Sequence, residues 1–146
     1  AQYITKGLIV DVGSGAGFPG IPLAIIKPEC SFILMEAKKK KANFIAAASQ
    51  ELGLKNTRVV DLRSEETVLE EKADAIVSRA LGSLDYFIEK TKHMLKKGGK
   101  LYAMKGKKPI EEIKHINKRW CVAQIKKIDV PYLEADRHII TLTRKK

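Results

Sequence analysis

The sequence predicts an α/β fold with a seven-stranded, mostly parallel sheet, an antiparallel last strand and helices on both faces. Two observations lead to this prediction. Apolar stretches typical of buried strands alternate four or five times with stretches of helical periodicity. Two further strands then follow with only a short connection between them, so they must be antiparallel, because a parallel pair needs a long crossover.

The first strand and the first helix flank a glycine-rich turn. Residues 8–12 are an apolar run typical of a strand, and four glycines follow between positions 13 and 20. Pro22 suits the first turn of a helix, which residues 23–26 continue. Such a turn aims backbone N–H groups at an anion or a ribosyl ligand, and its glycines allow close approach and positive φ.

Two classes of cofactor use this kind of turn. Gly15, Gly17 and Gly20 have the spacing of the dinucleotide fingerprint, which indicates nicotinamide binding. Read from Asp11, the pattern is Asp-x-Gly-x-Gly-x-Gly, the form used for S-adenosylmethionine, in which the acid can engage the methionine moiety through the loop. The glycines alone leave both classes open.

The second strand, residues 31–36, ends in Glu36. This position is about twenty residues beyond the glycines, where a carboxylate can accept both hydroxyls of a cofactor ribose. Residues 38–52 then form a helix, which Gly53 ends. We expect the inner face of that helix to carry Phe44, Ile45, Ala48 and Leu52.

The third strand, residues 57–62, leads into a loop that touches the adenine in adenosyl-cofactor folds. In that loop Ser64 or Glu65 can bond the adenine amino group, although Ser64 equally suits a helix N-cap. Residues 73–78 are the fourth strand. Arg79 follows it directly.

Ser83 caps a predicted helix from residue 84 to about residue 95, which Gly98 and Gly99 end. In this helix Tyr86 and Lys90 have the spacing of the catalytic pair of short-chain dehydrogenases, but the glycine turn lacks that family's spacing.

The last predicted elements are a fifth strand, a short helix and the closing pair of strands, at residues 100–105, 110–117, 120–130 and 138–144. A parallel sheet completed by an antiparallel hairpin is the Rossmann-like architecture of class I methyltransferases, which depend on S-adenosylmethionine. A dehydrogenase would need a second half for nicotinamide and substrate, and no residues are left for it. The topology therefore favours S-adenosylmethionine as the cofactor.

Length and composition predict a single domain over residues 1–146. No apolar run approaches the length of a membrane span, so we expect no membrane segment. Cys30, Cys121 and the three histidines lack metal-ligand spacing, so we expect no metal site and a reduced, cytoplasmic protein.

Charge indicates the partner. The formal net charge is +11, and most of the excess lies after residue 73, which favours an electrostatic face for a polyanion. The alternative is solvated lysines on amphipathic helices.

Several stretches together resemble one family, the RsmG (GidB) guanine-N7 methyltransferases of small-subunit ribosomal RNA. They are residues 11–23, 63–66, 78–80 and 102–106 and the pair Arg137-His138. The resemblance extends from Leu8 to the end of the chain. Two departures are the absence of the helical region that usually precedes this core, and Glu36 where relatives often have Asp.

The resemblance implies methyl transfer from S-adenosylmethionine to N7 of a guanine in 16S rRNA, with ribosomal RNA or the small ribosomal subunit as partner. The implied cofactor contacts are Gly13, Phe18, Glu36, Ala37, Ser64, Glu65 and Arg79, and the glycine pattern adds Asp11 and Gly15. More loosely, it places Lys105, Arg137 and His138 on the RNA side.

Arg79 and Lys105 are the candidate catalytic residues, because they follow the fourth and fifth strands at the carboxyl end of the sheet. We expect Arg79 to help form the cofactor pocket and Lys105 to contact guanine O6 or a phosphate; the alternative for Lys105 is another surface lysine. A nicotinamide-dependent oxidoreductase and a non-catalytic RNA-binding protein with a vestigial pocket remain the competing functions.

Overall fold

The computed structural model describes residues 6–79, 81–132 and 134–145. Its strands, β1 to β7 in chain order, are Gly7–Val12, Cys30–Met35, Thr57–Val60, Ala73–Arg79, Leu95–Lys105, Trp120–Lys127 and His138–Arg144. Its helices, α1 to α4, are Gly20–Ile26, Lys39–Glu51, Leu84–Thr91 and Ile110–Lys114, and a 3₁₀ turn covers Ser64–Glu66. Ala80 and Leu133, which belong to the stretches considered from sequence, lie outside the described residues.

The seven strands form one sheet in the order β3-β2-β1-β4-β5-β7-β6. Strands β1 to β5 pair in parallel, and β7 pairs antiparallel with both β5 and β6. The predicted fold class is therefore confirmed. The carboxyl ends of β1 to β5 all lie at one edge, where open α/β sheets bind ligands.

Helices cover both faces of the sheet because neighbouring residues of each strand point to opposite sides. On one face Ile21 and Ala24 of α1 and Ile45 of α2 pack with Ile9 and Phe32. These five side chains are no more than 8% exposed, so this side of the sheet is closed to water.

The other face carries the second core. Leu84, Phe87 and Ile88 of α3 pack there with Val10 and Ile76 of the central strands. Val10 follows Ile9 directly and lies in this core instead, as the alternation along a strand requires.

Strand β5 begins five residues earlier than the sequence predicts. Gly98 and Gly99 do not end a helix, since α3 already ends at Thr91. They lie in an irregularity between the pairs Ala73–Leu95 and Ala75–Lys100, where β5 has more residues than β4. Gly98 turns the strand with a φ of 81°, a value that glycine adopts without strain.

The inner face of α2 also differs from the prediction. Ile45 is fully buried and Ala48 is half-buried, but Phe44 is 58% and Leu52 55% exposed. Each residue turns a helix by about 100°, so Phe44 points well away from the line occupied by Ile45. The inward line is instead completed by the small residues Ala42 and Ser49.

Smaller differences concern the ends of elements. Strands β3 and β6 end at Val60 and Lys127, before the predicted residues 62 and 130, and α4 ends at Lys114 instead of residue 117. Over the described ranges, the helices are too short or too polar to cross a bilayer.

Candidate functional site

A cleft of about 380 Å³ lies at the carboxyl ends of β1 and β2. Its walls come from the glycine turn, the residues after β2, the 3₁₀ turn and its preceding loop, and α3 with the residue Leu81 before it. Five residues predicted from sequence line it together: Gly13, Glu36, Ala37, Ser64 and Glu65. The structure thus brings the end of the first strand, the end of the second and the loop after the third to one place.

The glycine turn is fastened to the end of the second strand. The backbone N–H groups of Gly13 and Ser14 both donate to the carbonyl of Met35, each over 3.0 Å. Gly13 and Gly15 have φ values of 71° and 62°, in the left-handed region that disfavours side chains. The turn therefore exposes bare backbone to the cleft.

Asp11 lies beneath this turn and joins its two ends. The side chain is fully buried, and its Oδ2 accepts from Ser14 Oγ at 2.7 Å and from Gly20 N at 2.9 Å. A Cβ on Gly20 would stand 2.8 Å from that same oxygen, so glycine is required for this approach. Asp11 thus holds the turn in shape.

The second carboxylate oxygen of Asp11 is buried and accepts no hydrogen bond from the described residues. Burial raises the pKa of Asp11 to about 6, while the bonds from Ser14 and Gly20 and the charge of Arg79 lower it, and Glu36 raises it further. The turn therefore covers a buried acceptor that a donor or a positive charge would stabilise.

Glu36 is held at the floor of the cleft, directly after β2. It is 8% exposed, its Oε2 accepts from Gly15 N at 2.8 Å, and its Oε1 accepts from Lys38 N at 3.1 Å. Each carboxylate oxygen has a further lone pair. The two oxygens are therefore fixed by backbone and still able to accept from two neighbouring hydroxyls.

Ser64 and Glu65 form the opposite wall. Ser64 is the first residue of the 3₁₀ turn and not an N-cap, because its Oγ donates to Glu65 Oε2 at 3.2 Å instead of accepting from the backbone. Lys90 Nζ donates to Glu65 Oε1 at 3.1 Å. A hydrogen bond from the backbone of Glu65 and that ammonium group hold the pKa of Glu65 below its usual range.

The sequence did not identify eight residues of this cleft as site residues: Val12, Met35, Lys38, Leu62, Arg63, Leu81, Tyr86 and Lys90. Leu62 and Leu81 are apolar parts of its wall, and Tyr86 and Lys90 come from α3. Ser83 caps α3 by accepting from Tyr86 N at 3.2 Å, as predicted. The spacing of Tyr86 and Lys90 placed them on one face of the capped helix, which was the signal that they share a wall.

Three predicted cofactor residues lie beside the cleft. Gly15 and Phe18 belong to the turn, and Phe18 is half exposed. Arg79 ends β4, and its Nη2 stands 3.9 Å from the position that a Cβ on Gly15 would take. Arg79 thus lies next to the turn.

The three residues predicted to contact RNA lie at the same edge of the sheet as the cleft. Lys105 ends β5 and pairs with His138, which begins β7, and Arg137 directly precedes His138. The Nδ1 of His138 donates to the carbonyl of Gly106 at 2.7 Å, and Arg137 Nη1 donates to the carbonyl of Asp136 at 2.8 Å. These side chains are separate from the residues that line the cleft.

Lys105 is anchored on two sides. Its Nζ donates to the carbonyl of Gly82 at 2.5 Å and pairs with Glu112 Oε2 at 2.8 Å. The same Glu112 oxygen accepts from Leu84 N, the first residue of α3, at 2.9 Å. The side chain of Lys105 is only 16% exposed and is therefore not an ordinary surface lysine.

Within the described part of the chain, no group of three or more potential metal ligands comes together.

Comparisons with known proteins give the family. The model of the GidB family, rRNA small subunit methyltransferase G, matches residues 1–140. Ribosomal RNA small subunit methyltransferase G of Laribacter hongkongensis (strain HLHK9) is 46% identical over 134 residues, which are 92% of this chain and 65% of that protein. The protein of the same name from Azoarcus sp. (strain BH72) is 43% identical over 136 residues, 93% of this chain and 64% of that one. The chain spans just under two thirds of the length of these relatives.

The fold has counterparts among solved structures. The crystal structure of precorrin-6y C5,15-methyltransferase from Geobacter metallireducens GS-15 superposes with a TM-score of 0.73 at 16% identity, over 97% of this chain and 82% of that one. At this identity the likeness concerns the fold alone, which is that of class I methyltransferases. The family match over nearly the whole sequence goes further, and the chain belongs to the GidB family, rRNA small subunit methyltransferase G.

Proposed function

We propose that this chain transfers a methyl group from S-adenosylmethionine to N7 of a guanine in 16S ribosomal RNA. The family match supports this activity, and one structural observation supports it most directly. The carboxylate of Glu36 is fixed by Gly15 N and Lys38 N on the floor of a cleft, next to bare glycine backbone. That arrangement suits a ligand with two adjacent hydroxyls and a polar chain leading from its ribose.

The residues of the cleft fit each part of the cofactor. Glu36 would accept both ribose hydroxyls, and Ser64 and Glu65 would receive the adenine amino group between the apolar walls. The methionine moiety would lie along the glycine turn, with its carboxylate toward Arg79. The ammonium and sulfonium groups of the methionine moiety would lie near Asp11, whose buried Oδ1 has no hydrogen-bond partner among the described residues.

The proposed reaction asks little acid–base chemistry of the protein. The cofactor supplies an electrophilic methyl group on a sulfonium, and guanine N7 carries a lone pair and no proton. The chain's own residues therefore need to bind, orient and exclude water, and no general base is required. In this scheme Arg79 is the catalytic residue beside the glycine turn.

Lys105 would contact O6 of the guanine or a neighbouring phosphate. A lysine ammonium has three N–H donors, and the described contacts to Gly82 and Glu112 use two of them. The anchoring would hold the remaining donor in a fixed direction. Arg137 and His138, at the same edge, would then face the RNA, which we propose the chain meets in the cytoplasm as ribosomal RNA or as the small subunit.

The competing functions are less well supported. The family match speaks against a nicotinamide-dependent oxidoreductase. A non-catalytic RNA-binding role with a vestigial pocket predicts binding of RNA without turnover. Experiment distinguishes both functions from methyl transfer.

The test is methyl transfer from labelled S-adenosylmethionine to small-subunit particles that lack the family's modification, followed by nucleoside analysis. We expect labelled 7-methylguanosine. Binding of cofactor and RNA with no transfer by this chain would support the non-catalytic role. Binding of NADH but not of S-adenosylmethionine would overturn the proposal in favour of the oxidoreductase.

A further inference from the structure

Two elements that are distant in the sequence meet at one wall of the cleft. Lys90 of α3 donates to Glu65 of the 3₁₀ turn over 3.1 Å, across 25 residues of chain. The two side chains are 32% and 37% exposed, so the ion pair is partly sheltered from water. Both residues line the cleft itself.

Lys90 is held from a second direction. Its Nζ lies 5.4 Å from the centre of the Tyr86 ring, one helical turn earlier, in reach of a cation–π interaction. Tyr86 also lines the cleft and is half exposed. The ammonium group is therefore placed by an aromatic ring on its own helix and by the carboxylate across the cleft wall.

These contacts orient the carboxylate of Glu65. Lys90 Nζ donates to Oε1, and the hydroxyl of the buried Ser64 donates to Oε2 at 3.2 Å. A glutamate on a three-residue turn otherwise samples several rotamers. Removal of Lys90 would leave Glu65 with the hydroxyl of Ser64 as its side-chain hydrogen-bond partner within the described part of the chain.

The direction of this carboxylate matters for the base that the cleft accepts. An ionised carboxylate is an acceptor only, so it attracts an exocyclic amino group. A purine with a keto group at the same position presents a second acceptor, and two facing acceptors repel. A carboxylate that is fixed in place discriminates between these bases, whereas one that can turn to solvent does not.

We propose that Lys90 is a positioning residue for base selectivity, which holds Glu65 so that the cleft admits an adenosyl ligand and rejects its 6-keto counterpart. This inference rests on the proposed function, since it concerns the cofactor of the same site.

The test compares the dissociation constants of S-adenosylhomocysteine and S-inosylhomocysteine by calorimetry. For the natural chain we expect the adenosyl ligand to bind at least tenfold more tightly, the range of one hydrogen bond to a charged group. Lys90→Met keeps the aliphatic stem over Tyr86 and should reduce this ratio to about a third or less, mainly through weaker adenosyl binding. Lys90→Arg should restore it to within about twofold.

Lys92→Met is the matched control. Lys92 lies at the end of the same helix and pairs with Glu89 at 2.5 Å, but it does not line this cleft. We expect the control to leave the ratio unchanged. A loss that is equal for both ligands in Lys90→Met would mean that Lys90 merely shapes the wall, and an unchanged ratio would also overturn the inference.

A double-mutant cycle with Glu65→Gln makes the test specific to the pair. In that background Lys90→Met should have no further effect on the ratio; an undiminished effect would show that Lys90 acts on something other than Glu65. The inference also fails if the natural chain binds both ligands equally well. Failure to bind either ligand would instead count against the proposed function.

Discussion

Glu36 connects the glycine turn with the cleft, because the carboxylate that would receive the ligand also receives the backbone of the turn. Its oxygens accept from Gly15 N at 2.8 Å and from Lys38 N at 3.1 Å. A ligand that engaged this carboxylate would therefore tighten contacts that already exist, and the site needs little reorganisation on binding.

Glu36→Ala should weaken binding of S-adenosylhomocysteine by about 10- to 100-fold, since it removes a charged acceptor of two hydroxyls. Glu36→Asp should retain most of the affinity, because a carboxylate stays at the end of the strand. Glu29→Ala is the control: Glu29 pairs with Lys27 at 3.5 Å and is well exposed. Calorimetry measures all three, and unchanged binding in Glu36→Ala would remove Glu36 from the site.

Asp11 should make the stability of the chain depend on pH in an unusual direction. Its pKa is about 6 in the folded chain against an ordinary value of 3.8, because it is buried. Between these values the folded state keeps a proton that the unfolded state has released. The contribution of Asp11 to the free energy of unfolding is therefore most favourable below about pH 4. It declines as the pH rises through 6, by about 3 kcal/mol for a pKa difference of about two.

Urea denaturation at a series of pH values, for the natural chain and for Asp11→Asn, measures this contribution. The free energy of unfolding of the natural chain minus that of the variant should fall from pH 4 to pH 6 and be level above pH 7. A difference that stays constant over this range, or that rises with pH, would contradict a pKa of Asp11 that is raised by burial.

Lys105→Ala should leave the affinity for S-adenosylhomocysteine unchanged and lower methyl transfer at least about tenfold, as expected for a group that acts on the substrate. The comparison variant is Glu112→Gln, which removes the partner charge of Lys105 but keeps an oxygen for Leu84 N. Equal losses of transfer in both variants would show that the ion pair between Lys105 and Glu112, rather than a contact of Lys105 with the substrate, supports transfer.

At this scale the sequence identified five residues of the cleft, each of which lies close after a strand or in a recognisable turn. It did not identify Leu81, Tyr86 or Lys90 as part of the site. These residues reach the cleft through the packing of α3 on the sheet, and periodicity along one helix carries no information on which neighbour that helix meets.

At the scale of elements, the glycine turn is defined by how close it comes to other atoms. The backbone of Gly20 approaches Asp11 so closely that its N–H donates to the carboxylate at 2.9 Å. The position that a Cβ would take is already occupied by Leu34 and Asp11. The start of α1 is therefore fixed against the first two strands.

Gly20→Ala should destabilise the chain by about 1–3 kcal/mol through overpacking and should also weaken cofactor binding. Gly53→Ala is the matched control. Gly53 ends α2 with a φ of 65° and has open space around it, so its replacement should cost about 1 kcal/mol and leave cofactor binding intact. Denaturation and calorimetry give the two quantities, and equal behaviour of the variants would contradict the packing argument.

The elements themselves were predictable where local signals agree. The strand, glycine turn and helix at the start, the Ser83 cap and the Gly53 end all occur as expected. The start of β5 was not predictable, because a pair of glycines is an equally good signal for the end of a helix and for an irregularity in a strand. Only pairing with β4 decides between them.

At the scale of the whole molecule, charge rather than shape indicates the partner. The formal net charge is +11, and the candidate RNA residues Lys105, Arg137 and His138 lie at the same edge of the sheet as the cleft. A polyanion could thus meet the proposed cofactor site and the basic side chains together.

Binding of a small-subunit rRNA fragment should depend steeply on salt. A footprint of about six phosphates would lose about a thousandfold in affinity between about 50 mM and 200 mM salt, through counterion release. Fluorescence anisotropy measures this slope, and cofactor affinity over the same range should change little. RNA binding that is insensitive to salt would contradict an electrostatic face.

The mostly parallel sheet with an antiparallel last strand was predictable from two features, the alternation of elements and the short connection before the last strand. The order of the last three strands was less accessible, because β7 enters between β5 and β6 and nothing local to β7 records its neighbours.

That order has a consequence for synthesis of the chain. Strand β6 pairs with β7 alone in the described sheet, and β7 also covers the outer side of β5. While a ribosome has released residues only up to about Lys127, β6 has no place in the sheet, and β5 shows a bare edge of unpaired backbone. The nascent protein thus remains open to strand-mediated association until β7 emerges, and a frameshift or premature stop before His138 would leave β6 unpaired and β5 paired on one side only.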